Sequence, residues 1–374
     1  LDARSGALVW KMKADDHPAA LMTASPSLHG DTLYVPVSSV EEASAASPGY
    51  QCCNFRGSVL ALDAQTGGVE WKTYLVGEAK APAEGESVWG PSGVAVWNSP
   101  SIDVKRGQLT IATGDNYSTP ATELSDSIIA LDLKTGAIKW HYQALEGDAW
   151  NVACYTQTGS NCDMDAGPDF DFGAGTVLAK GSDGRELVLA GQKSGIVYGI
   201  DPDSGKLVWE NKVGRGSEGG GIVFGLAAAD GKVFAPVSDR VIGEVDGFPP
   251  KPGVFGIDIA TGKTLWYAES PADTCGDDKA CVRGYGGSLS ATPGLVFAGA
   301  DDAHLRILDA DTGKVLHDID TGQEFETVNG VPAKGGAISG GVTAVAHKGQ
   351  LIVASGYGFA SKMPGNVLLV FEAK

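Results

Sequence analysis

The sequence predicts an all-β fold, a β-propeller of four-stranded blades. Two observations predict it. A turn of the form Leu/Ile-Asp-x-x-Thr/Ser-Gly followed by a strand recurs at intervals of about fifty to seventy residues. Fifty-three glycines in 374 residues, with no helical periodicity of useful length, fit many short strands joined by tight turns.

The repeat justifies each element in order. Its copies are LDARSGALVW ending at Trp10, LDAQTGGVEW at Trp71, LDLKTGAIKW at Trp140, IDPDSGKLVW at Trp209, IDIATGKTLW at Trp266 and LDADTGKVLH at His317. Five of the eight tryptophans therefore share one repeat position, which chance does not arrange. A strand such as Ser58-Val59-Leu60-Ala61-Leu62 enters the turn. There Asp63 and Thr66 can bond backbone groups, and Gly67 allows positive φ. The strand that leaves carries the tryptophan, a ring large enough to pack between neighbouring sheets. Upstream of each hairpin lies another strand with its own turn, as at Asp31–Val35 and Gly231–Ala235, giving four short strands per unit. Residues 1–374 are expected to form a single propeller domain. The chain opens inside a repeat, so upstream sequence is expected to be missing. The last segment, Asn366–Glu372, stops where a turn and outer strand should follow. Pairing of the two ends or missing upstream residues would close the ring, and the blade number stays open.

The formal net charge of −18 repels phosphate backbones and anionic lipid, so nucleic-acid and membrane-surface roles are disfavoured. No apolar run approaches the length of a membrane span. Six cysteines fall as three close pairs: Cys52 with Cys53, Cys154 with Cys162, and Cys275 with Cys281. An even count in local pairs points to disulfides and a periplasmic or secreted protein. No Cys-x-x-Cys spacing for zinc and no Cys-x-x-Cys-His for haem attachment occurs.

Propeller sites form where long loops meet over the central channel. Four loops stand out: Val37–Glu42 leading to Tyr50–Gly57, Val94–Pro100 followed by Ala112–Tyr117, Gly147–Asn151 running to Pro168–Gly173, and Gly191–Gly195. By composition alone they read as solvated glutamates, a core tryptophan, a Gly-Asp-Asn turn and a hairpin-tip lysine.

The repeat and the order of these loops resemble the quinoprotein alcohol dehydrogenases, which use pyrroloquinoline quinone (PQQ). The Val-Ser-Ser-Val-Glu-Glu run near Cys52-Cys53 looks most like the polyvinyl alcohol dehydrogenase branch. The resemblance covers nearly the whole chain and implies an eight-bladed propeller whose N-terminal part is missing here. It implies a Ca²⁺ ligand at Glu41 or Glu42, with Glu41 also against the cofactor. It implies a quinone floor at Trp97. Eighteen residues on, a metal ligand falls at Asp115 or the adjacent Asn116, with Asn116 also counted as a cofactor contact. Asp148, in Asp148-Ala149-Trp150, matches the catalytic base and is also a candidate metal ligand. Asp171, beyond an insertion holding Cys154 and Cys162, is the rival base beside Asp169. The insertion reads as a disulfide-tied flap that shapes substrate entry. Lys193 matches a cation against the quinone carbonyls. Cys52 and Cys53 match a disulfide ring on the opposite quinone face.

The implied function is PQQ-dependent oxidation of alcohols, with secondary hydroxyls such as those of polyvinyl alcohol the foremost substrates. Electrons would pass to a cytochrome c. The competing reading is a non-catalytic periplasmic scaffold for outer-membrane protein assembly, which uses the same repeats and has no need of the acidic loops, Cys-Cys or Asp-x-Trp together.

Overall fold

The computed structural model of the chain describes residues 1–82, 88–156, 161–162, 166–240, 247–341 and 343–372. Among the described residues the regular structure is all-β apart from two short helices, α1 (Glu41–Ser44) and α2 (Val152–Thr156), and a 3₁₀ turn at Phe359–Ser361. The chain forms two compact units, residues 1–172 with 203–205, and residues 173–202 with 206–374.

Among the described residues the first unit holds two large antiparallel sheets and a two-stranded one, Ser92–Gly93 with Asn116–Ser118. One runs Ser27–His29, Thr32–Ser39, Ser58–Asp63 and Val69–Tyr74, with Ala20–Leu21 on the far end of the second of these. The other runs Ser101–Asp103, Gln108–Ala112, Ser127–Asp132 and Ile138–Gln143. Among the described residues the second unit holds three four-stranded sheets, ending at Leu207–Lys212, Thr264–Glu269 and Val315–Asp320, a three-stranded sheet ending at Val367–Glu372, and the two-stranded pair Glu324–Phe325 with Ala333–Lys334. Four strands per repeat, as the sequence predicts, is therefore the unit of construction.

Burial explains the composition of each strand. The strand entering the Asp turn is buried on both faces, as in Ser58–Asp63, and reads as a continuous apolar run. The strand leaving it is largely exposed, and in Val69–Tyr74 only Trp71 is buried. Tyr34, Val59 and Trp71 of the first sheet share a core with Leu109, Ile111 and Ile129 of the second.

The turn chemistry is as read from the repeat. Asp63 Oδ1 accepts from the Gln65 and Thr66 amides at 3.1 and 2.7 Å and from Thr66 Oγ1 at 2.7 Å. The turn glycine has a second duty that the sequence did not disclose. Gly136 has φ 69°, and a Cβ there would lie 2.5 Å from the Trp71 ring. The indole of one repeat thus sits on the bare backbone of the next, where Trp71 Nε1 donates to Leu133 O at 3.1 Å. Trp209 and Gly262, and Trp266 and Gly313, repeat the arrangement in the second unit.

Candidate active site

The loops of the first unit are knitted by backbone hydrogen bonds rather than by long strands. Ser92–Gly93 pairs with Asn116–Ser118. Gly57 N donates to Gly93 O at 2.8 Å, Val94 N to Asp115 O at 2.7 Å, Trp150 N to Asn116 O at 2.8 Å and Phe172 N to Thr113 O at 3.2 Å. Close approach needs glycine: a Cβ on Gly57 would fall 1.7 Å from Val94 O. This knot brings Asp115, Asp148, Asp169 and Asp171 together from three separate stretches of chain.

Asp115, Asp169 and Asp171 are buried, and each offers a carboxylate oxygen within 4.8 Å of the others. Asp115 N donates to Asp171 Oδ1 at 2.7 Å. Asp115 Oδ2 is buried with no hydrogen-bond partner. Burial pushes the Asp115 carboxyl well above the usual carboxylate range, and the charges of Asp171, Glu42, Asp169 and Asp148 push it further. Bare carboxylates so placed repel one another, and an orphaned buried acceptor is costly. A hard cation answers both problems with the oxygen donors present, so the residues fit Ca²⁺.

The two members of each adjacent pair have different surroundings. Asn116 is fully buried and its side chain is committed: Nδ2 donates to Ser92 O at 2.7 Å, and Oδ1 accepts from Thr122 N at 2.7 Å and Thr122 Oγ1 at 3.1 Å. Asp115 holds the unpartnered oxygen. Glu41 is likewise fully buried. Its oxygens accept from Tyr50 Oη at 3.0 Å, Asn54 N at 3.0 and 3.1 Å and Phe55 N at 2.7 Å, with His17 Nε2 at 3.5 Å. Glu41 therefore pins the loop that carries Cys52-Cys53. Glu42 is the residue whose charge reaches the acidic cluster, raising both Asp115 and the buried Tyr117.

Asp148 is fully buried and accepts from Phe170 N at 3.0 Å and Asp169 N at 3.4 Å. Its carboxylate thus holds the turn where Asp169 adopts φ 57°. Asp169 was passed over in the sequence as a neighbour of Asp171, yet it is the third member of the cluster. Its only signal was the acidic pair Asp169-Phe170-Asp171 after the insertion.

Trp97 is half-buried, and a Cβ on Gly114 would lie 2.7 Å from Asp171 Oδ1 and 3.3 Å from Trp97 Nε1. The indole edge and the acidic cluster therefore meet at one bare backbone position. Cys52 and Cys53 are joined by a disulfide, are fully buried, and share a core with Phe55 and Tyr117 against which Trp97 packs. The other pairs, Cys154–Cys162 and Cys275–Cys281, are also disulfides. Lys193 belongs to the second unit, where it is buried at a hairpin tip, its carbonyl accepts from Gly221 N at 2.7 Å, and its charge opposes the rise that burial imposes on Glu218.

Comparison with known proteins decides the family. The sequence model described as "Glucose/ethanol/alcohol dehydrogenase, beta-propeller domain", a PQQ family, matches residues 4–210. The chain belongs to this PQQ β-propeller family. A second model, of the outer membrane protein assembly factor BamB, matches residues 193–362. Polyvinylalcohol dehydrogenases of a Sphingopyxis and a Pseudomonas species are 39% and 38% identical to it across the whole chain, which spans 59% and 60% of their lengths. The solved quinohemoprotein alcohol dehydrogenase ADHIIG of Pseudomonas putida HK5 matches the whole chain and 64% of its own, at 18% identity and a TM-score of 0.70, and shows the propeller fold class. Among the described residues no helix is long and apolar enough to cross a membrane.

Proposed function

We propose that this chain is the cofactor-bearing part of a PQQ-dependent alcohol dehydrogenase acting on secondary hydroxyls such as those of polyvinyl alcohol. One observation carries the reading: the buried Asp115–Asp169–Asp171 cluster, with an unpartnered oxygen on Asp115, beside Trp97 and the Cys52–Cys53 disulfide. A scaffold has no use for a buried cluster of like charges. The match to the assembly factor covers residues 193–362 and none of these acids.

In this reading Asp115, Asp171 and Glu42 supply oxygens to Ca²⁺, and Trp97 and the Cys52–Cys53 disulfide supply flat surfaces to the quinone. Bound there, PQQ would supply a hydride acceptor for the alcohol and Ca²⁺ a Lewis acid. Asp169 takes the hydroxyl proton on a carboxylate oxygen. Asp148 positions it by accepting the amides of Asp169 and Phe170. Burial of all four aspartates keeps bulk water from competing for that proton. Electrons would leave to a cytochrome c, and the three disulfides favour a periplasmic or secreted setting.

The test is dye-linked oxidation of secondary alcohols after loading purified protein with PQQ and Ca²⁺. Asp169→Asn should abolish turnover with PQQ still bound, and Asp148→Asn should slow it less. Turnover that survives Asp169→Asn and is lost in Asp148→Asn would return the base to Asp148.

A further inference from the structure

Loop 356–365 of the second unit holds an aromatic ring out in water. Gly365 N donates to Gly356 O at 3.2 Å and closes the base of the loop. Ala337 ties both arms: its carbonyl accepts from Gly356 N and Tyr357 N at 3.0 and 2.9 Å, and its amide donates to Met363 O at 2.9 Å. Lys362 turns inward, 9% exposed, and its Nζ donates to Ser339 Oγ at 2.7 Å and Asp301 Oδ1 at 3.1 Å. Arg240 Nη1 donates to Ala360 O at 2.6 Å. Ala360 and Ser361 take φ 54° and 60°, a left-handed conformation that is costly for residues with a Cβ. All these ties hold Phe359 in place, and yet it is 72% exposed.

Phe359 does not stand alone. Its ring centroid lies 6.2 Å from that of Tyr357, which lies 6.0 Å from that of Phe224, both pairs edge-on. The Tyr357 ring rests on Gly340, where a Cβ would come 3.1 Å from it. Tyr357 and Phe224 are half-buried, so part of each ring meets water. Among the described residues Tyr357 Oη has no hydrogen-bond partner, and burial pushes its ionisation up, so it stays a neutral hydroxyl. The loop's own lysine is neutralised by Asp301. The surface therefore presents three rings and one unused hydroxyl, held in advance of any ligand. That chemistry fits an uncharged ligand with apolar carbons and hydroxyls in alternation.

We propose that Phe224, Tyr357 and Phe359 form a polymer-holding surface of the second unit, which takes an uncharged chain alternating methylene and hydroxyl-bearing carbons. This rests on the reading of polyvinyl alcohol as the substrate. Methylenes lie on the rings, and a hydroxyl of the chain bonds Tyr357 Oη. A long polymer offers the surface many equivalent segments, so it binds where a single small alcohol does not.

The test is calorimetric titration of the purified full chain, free of PQQ and Ca²⁺, with polyvinyl alcohol and separately with isopropanol. Saturable binding of the polymer and none of isopropanol is expected. Phe359→Ala should weaken polymer binding about fivefold or more, as for an aromatic contact of an interface. Tyr357→Phe should weaken it about twofold to tenfold, the effect of one hydrogen bond. Val328→Ala, at another exposed apolar side chain, should leave it unchanged. Phe359 is largely in water, so its removal does not endanger folding, which circular dichroism would confirm. Equal polymer binding by the parent, Phe359→Ala and Tyr357→Phe overturns the surface. So does a parent that binds no polymer but self-associates, with Phe359→Ala abolishing the association, because the rings then serve an interface between copies. A parent that binds no polymer yet oxidises it once loaded with PQQ and Ca²⁺ overturns the surface alone. A parent that neither binds nor oxidises it overturns the substrate reading as well.

Discussion

Glu41 and Glu42 are neighbours with opposite duties. Glu41 is buried under four donor contacts and fixes the loop that presents the Cys52–Cys53 disulfide. The charge of Glu42 adds to the rise of the Asp115 carboxyl. Glu41→Gln is expected to cost about 1–3 kcal/mol of stability, the range for a disturbed buried hydrogen-bonded charge, as read by denaturant unfolding. Glu42→Gln should leave unfolding nearly unchanged and weaken Ca²⁺ instead. The sequence narrowed the site to pairs of adjacent residues and could go no further. Which of Glu41 and Glu42, or of Asp115 and Asn116, faces the site depends on backbone direction inside an irregular loop, and neither helical nor strand periodicity applies there. Asp169 escaped because the insertion separates it from Trp150 by a stretch with no repeat to count along.

At the scale of the element, the Asp-x-x-Thr/Ser-Gly hairpin was almost wholly legible, because it recurs and each copy corrects the reading of the others. Its hidden part is the contact between repeats. Gly136→Ala meets both the positive φ and the Trp71 ring, and should cost about 1–3 kcal/mol or more. Gly107→Ala, at φ 62° with nothing within 4 Å, faces the φ strain alone and should cost less. Trp71→Ala should lose about 3–5 kcal/mol, as for large aromatic side chains removed from a core. The turn aspartates also set an acid limit. Asp63, Asp132 and Asp309 have carboxyls below the ordinary 3.8, chiefly because Thr66, Thr135 and Thr312 donate hydroxyl bonds to them. A folded-state pKa lower than the unfolded one adds stability that is complete above about pH 4 and fades as pH falls through the folded value. Unfolding midpoints followed downward from pH 5 should therefore drop, and Thr135→Val should flatten that drop at its own turn while lowering stability near neutrality.

At the scale of the whole molecule, sheets of four strands carry loops whose chemistry is independent of the sheets. The propeller repeats serve a dehydrogenase family over residues 4–210 and resemble an assembly factor over residues 193–362, so the fold by itself does not name an activity. The proposed activity rests on the buried acids. Enclosing four carboxylates in one unit of a chain already at −18 is costly, and a bound cation would offset that cost. The most direct measurement is the anaerobic absorbance change of PQQ added to the purified chain with a secondary alcohol, with and without Ca²⁺, in the parent and in Asp115→Asn. Saturable, Ca²⁺-dependent reduction of the cofactor in the parent and its loss in Asp115→Asn is the predicted result. Equal behaviour with and without Ca²⁺, or a parent and variant that cannot be told apart, would contradict it.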